Sequence, residues 1–204
     1  MGNLAEAAAK SIGANSLLAR VGALYHDIGK MQKPEYFVEN QMGAKSMHEK
    51  LAPSMSALIL ESHVKEGAEM AEEENLPEKI IDFIKEHHGT SLMAYFYNKA
   101  LQKGASEEDE NEFRYPGPKP NSKESAIVML ADAVEASSRV LDEPKPARVI
   151  AVIKKVIKTK LESGELEESN LTLKEIHQIE ESFLPVLLGV FHPRIEYPEL
   201  GEEA

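Results

Sequence analysis

A set of metal-binding residue types, spread between residues 26 and 132, most constrains how this chain can fold. Four of its seven histidines fall into a pattern with two aspartates. The pattern consists of two adjacent doublets, a lone histidine and a lone aspartate, namely His26-Asp27, His63, His87-His88 and Asp132. Imidazole and carboxylate together suit divalent first-row metals such as iron, manganese or zinc. A fold that uses these residues has to bring four distant segments to one pocket.

The spacing of apolar residues predicts helices almost throughout the chain, and strand signals are scarce. Leu18, Val21, Tyr25 and Ile28 illustrate the pattern, because they recur at intervals of three and four residues. Long helices are predicted over residues 15–28, 122–141, 147–163 and 172–192, and irregular segments over 31–53 and 104–120. We therefore expect an all-α fold, a single helical bundle of about eight helices.

Capping signals indicate where the site-bearing helices begin and end. Gly29 ends the second helix, so His26 and Asp27 are predicted to lie in its last turn. Ser62 is predicted to cap a separate helix that begins at His63. Two capping boxes are predicted to open later helices, Asn121 with Glu124 and Thr172 with Glu175.

The composition excludes several classes of site and partner. The net charge of -12 argues against a nucleic-acid polymer as partner, although bound cations would still allow a small phosphate ligand. The absence of cysteine excludes thiolate ligands, iron–sulfur clusters and disulfides. No apolar run reaches the length of a membrane span, so we expect no membrane contact within this chain.

Each residue of the pattern also has an ordinary structural explanation. Asp132 interrupts the apolar run 126–134, where a buried carboxylate needs a cation or dense hydrogen bonding. Alternatively, Asp132 faces solvent or pairs with Arg139. The doublet of His87 and His88 can equally be one buried and one exposed histidine, placed favourably against the helix dipole.

The first doublet and the single histidines leave similar alternatives open. His26 and Asp27 can be a helix-end histidine beside a surface aspartate, and Lys30 can hold that carboxylate or reach an anionic ligand. A single histidine such as His63 is more often a core or surface residue whose ring nitrogens are hydrogen-bonded. The remaining histidines, which lack partners at a meaningful spacing and are predicted to be structural or exposed, are His48, His177 and His192. All of these alternatives have to hold together for the metal site to be absent.

The residues around the pattern resemble the HD superfamily of metal-dependent phosphohydrolases. Three stretches carry the resemblance: residues 26–41 (HDIGKMQKPEYFVENQ), 87–91 (HHGTS) and 112–120 (EFRYPGPKP). They are similar to the cytoplasmic HD domain of bacterial seven-transmembrane HD receptors, a group that includes cyclic di-AMP phosphodiesterases. The similarity spans nearly the whole chain. We therefore expect residues 1–204 to be one HD domain, an N-terminally truncated fragment of a larger membrane protein.

The resemblance implies that Asp27 bridges two divalent transition metals, with iron or manganese favoured and zinc also compatible. It implies that one ion binds His26, Asp27 and Asp132, and that the other binds Asp27, His63, His87 and His88. Family members supply one further histidine to the first ion from upstream, and no histidine precedes His26 here. This histidine is either lost or removed by truncation. We therefore expect binding of the first metal, and with it the activity of this chain, to be impaired.

The activity that the resemblance implies is hydrolysis of cyclic di-AMP to linear pApA. Two cations about 3.5–4 Å apart neutralise phosphate charge and lower the pKa of water, so a bridging hydroxide attacks phosphorus. We expect Asp27 and Lys30 to be catalytic and Lys30, Arg114 and Tyr115 to bind substrate, with structural bracing as the alternative for the loop of Arg114 and Tyr115. Asn40 is expected, with Gln41, on a loop that covers the site.

Three other functions remain open from the sequence. The domain can be a nucleotidase or phosphatase that acts on mononucleotides, or an inactive fragment that binds the cyclic dinucleotide without cutting it. A metal-holding bundle of the oxygen-binding type ranks last, because such sites use Glu-x-x-His spacings and Glu61-Ser62-His63 does not provide one.

Overall fold

The computed structural model describes residues 1–37, 40, 46–141 and 145–191. Over these residues the backbone forms eight α-helices, short 3₁₀ helices and no β-strand, so the prediction of an all-α fold is confirmed. The α-helices are α1 (Gly2–Ser11), α2 (Ser16–Tyr25), α3 (Pro53–Glu73), α4 (Glu78–Glu86), α5 (Ala94–Leu101), α6 (Lys123–Ser138), α7 (Pro146–Glu162) and α8 (Leu173–Phe191). The 3₁₀ helices are Ile28–Gln32, Pro34–Tyr36, Met47–Lys50 and Glu107–Phe113.

Helix α6 lies at the centre of the bundle, because α1, α2, α4, α7 and α8 all pack against it. Each residue from Ala126 to Ala131 is at most 1% exposed. Burying side chains such as Val, Ile, Leu and Met stabilises the fold by roughly 1.5–3 kcal/mol each. Asp132 directly follows this buried run and faces His26 at the end of α2. The centre of the core thus positions one of the candidate ligands.

Helix α3 is continuous, so the prediction of two helices separated at Ser62 is wrong. The Ser62 hydroxyl donates a hydrogen bond to the carbonyl oxygen of Ile59 at 3.0 Å instead of capping a new helix. A mid-helix serine can satisfy its hydroxyl in this way without ending the helix. His63 therefore lies in the middle of a 21-residue helix rather than near an N-terminus.

One of the two predicted capping boxes is wrong and the other is confirmed. Helix α6 is capped by Ser122 with Ser125, and Glu124 instead accepts a hydrogen bond from the Asn15 backbone at 2.8 Å. Glu124 is thus engaged by a distant loop that the local sequence could not indicate. At the start of α8, Thr172 and Glu175 exchange the expected hydrogen bonds, at 2.9 and 3.2 Å.

The segment after α5 is held against the residues that follow α4. Its 3₁₀ helix, Glu107–Phe113, ends where the Phe113 carbonyl accepts a hydrogen bond from the Met93 nitrogen at 2.7 Å. Two residues later, the Tyr115 nitrogen donates to the Ser91 carbonyl at 3.1 Å. These backbone contacts place Tyr115 beside the His87-His88 doublet.

Candidate metal centre

The two doublets lie where the chain leaves a helix. His26 is the C-cap of α2 and Asp27 follows it, so both lie just beyond the last turn in which they were predicted. His87 is the C-cap of α4, and Gly89 turns the chain with a φ of 56°. Adjacent side chains on a regular helix diverge by about 100°. Leaving the helix allows both members of each doublet to face one pocket.

Close backbone packing brings Asp27 to the middle of α3. A Cβ atom on Gly29 would lie 1.9 Å from the His63 carbonyl oxygen and 2.5 Å from the Gly67 nitrogen. Because these opposing atoms belong to a helix backbone, they cannot rotate away, and only glycine fits. Gly29 thus lets the segment after Asp27 lie directly on α3.

Asp27 and three histidines form a first cluster. The Oδ1 atom of Asp27 lies 3.4 Å from His63 Nε2 and 3.6 Å from His87 Nε2. One ligand atom from each of Asp27, His63, His87 and His88 lies within 4.8 Å of the others. Metal–ligand bonds of about 2.0–2.2 Å place two ligands of one ion up to about 4.4 Å apart, so these atoms need only small adjustments to contact a single ion.

A second cluster uses the other oxygen of the same aspartate. His26 Nε2 lies 3.0 Å from Asp27 Oδ2 and 3.6 Å from Asp132 Oδ1. Asp27 therefore lies between the two clusters, with one carboxylate oxygen facing each. All six residues of the sequence pattern meet at this point, although they come from four separate segments.

Backbone carbonyls orient three of the imidazoles. In each case Nδ1 faces the carbonyl oxygen three residues earlier in the chain: His26 with Ala23 at 3.0 Å, His63 with Leu60, and His87 with Ile84 at 2.9 Å. Nε2 of each ring points into the cluster, and in the neutral imidazoles of His63 and His87 it carries the lone pair because Nδ1–H donates to the carbonyl. Metal-binding histidines are typically oriented by such a second hydrogen bond.

The polar atoms at the centre of the clusters lack protein partners. Within the described part of the chain, the buried His26 Nε2 and Asp27 Oδ1 atoms make no hydrogen bond. The Nε2 atoms of His63 and His87 face each other at 3.2 Å, each without a proton. Such an arrangement is unfavourable unless a cation lies between the lone pairs. The donor set therefore fits divalent metal ions.

Burial sets the protonation states that metal binding needs. Burial, together with the neighbouring imidazoles of His26 and His63, lowers the pKa of the His87 imidazole to about 3. Burial likewise lowers the pKa of His63 and of His88. These three imidazoles are therefore neutral at physiological pH and offer lone pairs to a cation.

His26 differs from the other histidines because two carboxylates face it. Burial disfavours its charged form, but the adjacent carboxylates of Asp132 and Asp27 outweigh burial and raise the pKa of His26 to about 10. Burial also opposes ionisation of Asp27, yet the adjacent His26 ring holds the pKa of Asp27 well below its usual range. A metal ion at this cluster competes with the proton on His26, so acid weakens binding.

Two of the ordinary explanations considered for the sequence pattern, for Asp132 and for the His87-His88 doublet, do not agree with the structure. Asp132 does not pair with Arg139, whose guanidinium contacts Glu135 at 3.1 Å. Neither member of the second doublet is exposed, because His87 is buried and His88 stacks on the Tyr115 ring, with ring centres 4.1 Å apart.

The other histidines lie outside the clusters. His48 is buried, and its Nε2 contacts the Tyr36 carbonyl oxygen at 2.9 Å. His177 is exposed and pairs with Glu181 at 3.4 Å. Their prediction as structural or exposed residues agrees with these positions, and His192 lies outside the described residues.

A cavity of about 790 Å³ opens in front of the two clusters. It contains cationic and aromatic side chains besides the candidate ligands, among them Lys30, Lys99, Arg139, Tyr36, Phe96 and Tyr115. Asn40 also lines it, whereas Gln41 lies outside the described residues. Lys99, Arg139, Tyr36 and Phe96 were not identified as cavity residues from the sequence, because no local pattern links residues that only the tertiary fold brings together.

Lys30 occupies the boundary between the cavity and the metal clusters. Its ammonium lies 2.7 Å from Asp27 Oδ2 and 5.2 Å from the centre of the Phe37 ring. Both interpretations of Lys30 from the sequence therefore remain open, because it holds the Asp27 carboxylate and also faces the space for a ligand.

Arg114 and Tyr115 face opposite sides of their segment. Tyr115 lines the cavity, and burial raises the pKa of its hydroxyl above the ordinary value. The Arg114 guanidinium instead contacts Glu110 at 2.6 Å and the Thr90 carbonyl at 3.0 Å, away from the cavity lining. Neighbouring residues in extended backbone alternate in direction. Arg114 therefore has the bracing position that the sequence left open as the alternative for this loop.

Residues 1–137 of the chain match the model of the HD family, described as the HD domain. The chain belongs to the HD domain family. The family assignment made from the sequence motifs is thereby confirmed. HD domains bind divalent metals, in agreement with the two clusters of histidine and aspartate in this one.

Curated relatives match this HD domain over nearly its whole length. The cyclic-di-AMP phosphodiesterase PgpH of Bacillus subtilis is 49% identical over 197 residues, which cover 97% of this chain and 28% of the relative. The PgpH of Listeria monocytogenes is 46% identical, with coverage of 97% and 27%. The chain thus spans about a quarter of the length of these relatives.

Two solved structures have the same fold as this HD domain. The crystal structure of the L. monocytogenes PgpH HD domain superposes with a TM-score of 0.88 at 46% identity, covering 94% of this chain and 89% of that one. The structure of that domain in complex with cyclic-di-AMP gives a TM-score of 0.89 at 44% identity, covering 93% and 88%. In the described part of this chain, no helix is both long and apolar enough to cross a bilayer.

Proposed function

We propose that this HD domain is a metal-dependent phosphodiesterase that hydrolyses cyclic di-AMP to linear pApA. The observation that carries the proposal is that the two oxygens of Asp27 face two ligand clusters beside one cavity. The names of the PgpH relatives, and the PgpH domain crystallised in complex with cyclic-di-AMP, support the choice of substrate.

We also propose that the chain is one HD domain of a larger membrane protein, on its cytoplasmic side. The chain spans only 28% and 27% of the two PgpH relatives, which supports its being part of a longer protein. The resemblance to the seven-transmembrane HD receptors supports the membrane assignment.

The proposed ligands divide between two ions, one held by His26, Asp27 and Asp132 and the other by Asp27, His63, His87 and His88. Iron or manganese fits this set of imidazoles and carboxylates best, and zinc is also compatible. When bound, such ions lower the pKa of a water molecule and neutralise the charge of the phosphodiester.

The side chains around the clusters supply the remaining interactions. Lys30 contacts a phosphoryl oxygen or protonates the leaving oxygen, because its ammonium lies at the entrance to the clusters. Tyr115 remains protonated and can donate a hydrogen bond, since burial raises its pKa. Lys99 brings positive charge to the cavity of a chain whose net charge is -12, whereas the charge of Arg139 is balanced by its contact with Glu135.

The replacement Lys30→Gln is expected to lower kcat for cyclic di-AMP by about 100-fold or more, because it removes both the positive charge and the proton donor. Metal content should not fall, since Lys30 repels a cation at Asp27. The matched control is Lys33→Gln, because Lys33 contacts Ser62 and Glu66 outside the cavity. Steady-state kinetics with metal analysis test this prediction, and an equal loss in both variants would contradict it.

Substrate comparison tests the proposed function itself. The manganese-loaded protein is incubated with cyclic di-AMP, cyclic di-GMP and AMP, and products are separated by chromatography. The proposal predicts pApA from cyclic di-AMP with the largest kcat/KM of the three. Faster release of phosphate from AMP would assign a mononucleotide phosphatase, and calorimetric binding of cyclic di-AMP without product would assign a binding module.

A further inference from the structure

The connection between α7 and α8 is hydrogen-bonded to the turn of residues 87–91, which carries His87 and His88. Glu165, in this connection, is fully buried. One of its carboxylate oxygens accepts a hydrogen bond from the Thr90 backbone nitrogen at 2.9 Å, and the other accepts from the Thr90 hydroxyl at 2.8 Å. A buried carboxylate is therefore committed to one residue of the turn.

The fit between Glu165 and the turn is close. A Cβ atom on Gly89 would lie 2.2 Å from Glu165 Oε2. Gly89 also has a φ of 56°, a conformation that favours glycine. The carboxylate thus lies directly against the backbone one residue after His88, where a side chain would exclude it.

A second residue from the same region holds the turn further along. The Lys160 ammonium, near the end of α7, donates a hydrogen bond to the Ser91 hydroxyl. That hydroxyl donates in turn to the carbonyl oxygen of His88. Lys160 and Glu165 therefore contact two consecutive residues of the turn, and the contact through Ser91 ends on the backbone of a candidate metal ligand.

Burying a carboxylate is expensive unless its oxygens are well hydrogen-bonded. Charge-assisted hydrogen bonds of the kind made to Thr90 are about twice as strong as neutral ones. Backbone beyond a helix C-terminus otherwise frays easily. The contacts to Glu165 oppose this fraying at the place where two adjacent histidines must leave helical geometry to reach one ion.

We propose that Glu165 is a positioning residue that orients His87 and His88 for metal binding, with Lys160 supporting the same turn through Ser91. Both residues lie beyond the 1–137 segment that matches the HD family, so α7 and the connection after it support the metal centre rather than only covering the core. This inference rests on the proposed metal centre and is independent of the identity of the substrate.

The test is the affinity of the full 204-residue chain for Mn²⁺, measured by competition with a chelator on protein shown to be folded by circular dichroism. Glu165→Gln keeps one acceptor oxygen, and we expect it to weaken the site containing His87 and His88 by about tenfold. Glu165→Ala should weaken it by about 100-fold. Glu168→Gln, the same chemical change at an exposed neighbour, is expected to bind like the wild type.

Thr90 provides a second pair of variants that leaves the Glu165 side chain itself in place. Thr90→Val removes the hydroxyl donor and should weaken Mn²⁺ binding by about tenfold, whereas Thr90→Ser keeps the donor and should restore it. The visible spectrum of the Co²⁺-substituted protein should shift in Thr90→Val and not in Thr90→Ser.

The outcomes separate this inference from the proposed function. If Glu165→Gln and Thr90→Val lower the free energy of unfolding but leave Mn²⁺ affinity and the Co²⁺ spectrum unchanged, Glu165 is only structural and the inference is overturned. If the wild type itself binds no divalent metal, the proposed function is wrong, and the inference about Glu165 is overturned with it.

Discussion

Replacing Asp27 by alanine is expected to remove both metal ions and to lower turnover of cyclic di-AMP by about 1000-fold or more, since each bound ion contributes several kcal/mol. The physical reason is that Asp27 belongs to both clusters. Its Oδ1 lies 3.4 Å from His63 Nε2, and its Oδ2 lies 3.0 Å from His26 Nε2. Metal content by atomic spectroscopy and initial rates measure the two effects.

Two further variants make the Asp27 result specific. Asp132→Ala is expected to weaken mainly the ion bound with His26, because Asp132 belongs to that cluster alone. Asp82→Ala, on α4 and absent from both clusters, should retain both ions and serves as the matched control. Equal metal content in the wild type, Asp27→Ala and Asp132→Ala would refute the assignment of ligands.

Replacing Gly29 by alanine is expected to lower the free energy of unfolding by about 3 kcal/mol or more, at the upper end of overpacking effects. The added Cβ would lie 1.9 Å from the His63 carbonyl oxygen and 2.5 Å from the Gly67 nitrogen. Because both atoms belong to the backbone of α3, relief requires the segment after Asp27 to move away. Urea unfolding followed by circular dichroism measures the loss, and Mn²⁺ affinity should fall with it.

The control for this prediction is the same substitution in open space. Among the described residues, nothing except its chain neighbours and the nearby backbone of its own helix lies within 4 Å of the position that a Cβ on Gly189, in α8, would occupy. Gly189→Ala should therefore be stabilising by up to about 1 kcal/mol, through the better helix propensity of alanine. A Gly29→Ala protein that unfolds at the same urea concentration as the wild type would show that the two backbones can separate without cost.

The helices were largely predictable because periodicity and caps are local signals. Asn15 caps α2 as expected, with its side chain accepting from the Leu18 nitrogen at 3.0 Å. The errors arose where a polar side chain satisfies its hydrogen bonds elsewhere than at the predicted helix end. Ser62 bonds back within α3, and Glu124 is engaged by the Asn15 backbone rather than by its own helix end.

The candidate site was predictable in its residue types but not in its surroundings. His26 and Asp132 could be singled out because a histidine at a helix end and an aspartate in an apolar helix need an explanation. The direction of the Arg114 side chain could not be predicted, since it depends on which face of an extended segment meets the cavity. The contact of Glu165 with Thr90 joins residues 75 positions apart, and neither stands out in the sequence.

By itself, the sequence determined that this protein is helical and that it carries imidazoles and carboxylates suited to divalent metals, because helix periodicity and ligand chemistry are properties of residue types. Only the tertiary structure decided that Asp27 lies between two clusters, that Gly29 permits this approach, and that Lys99 and Arg139 join the same cavity. Distances between segments depend on how the helices pack around α6, and packing is set by many weak contacts that no single stretch of sequence contains.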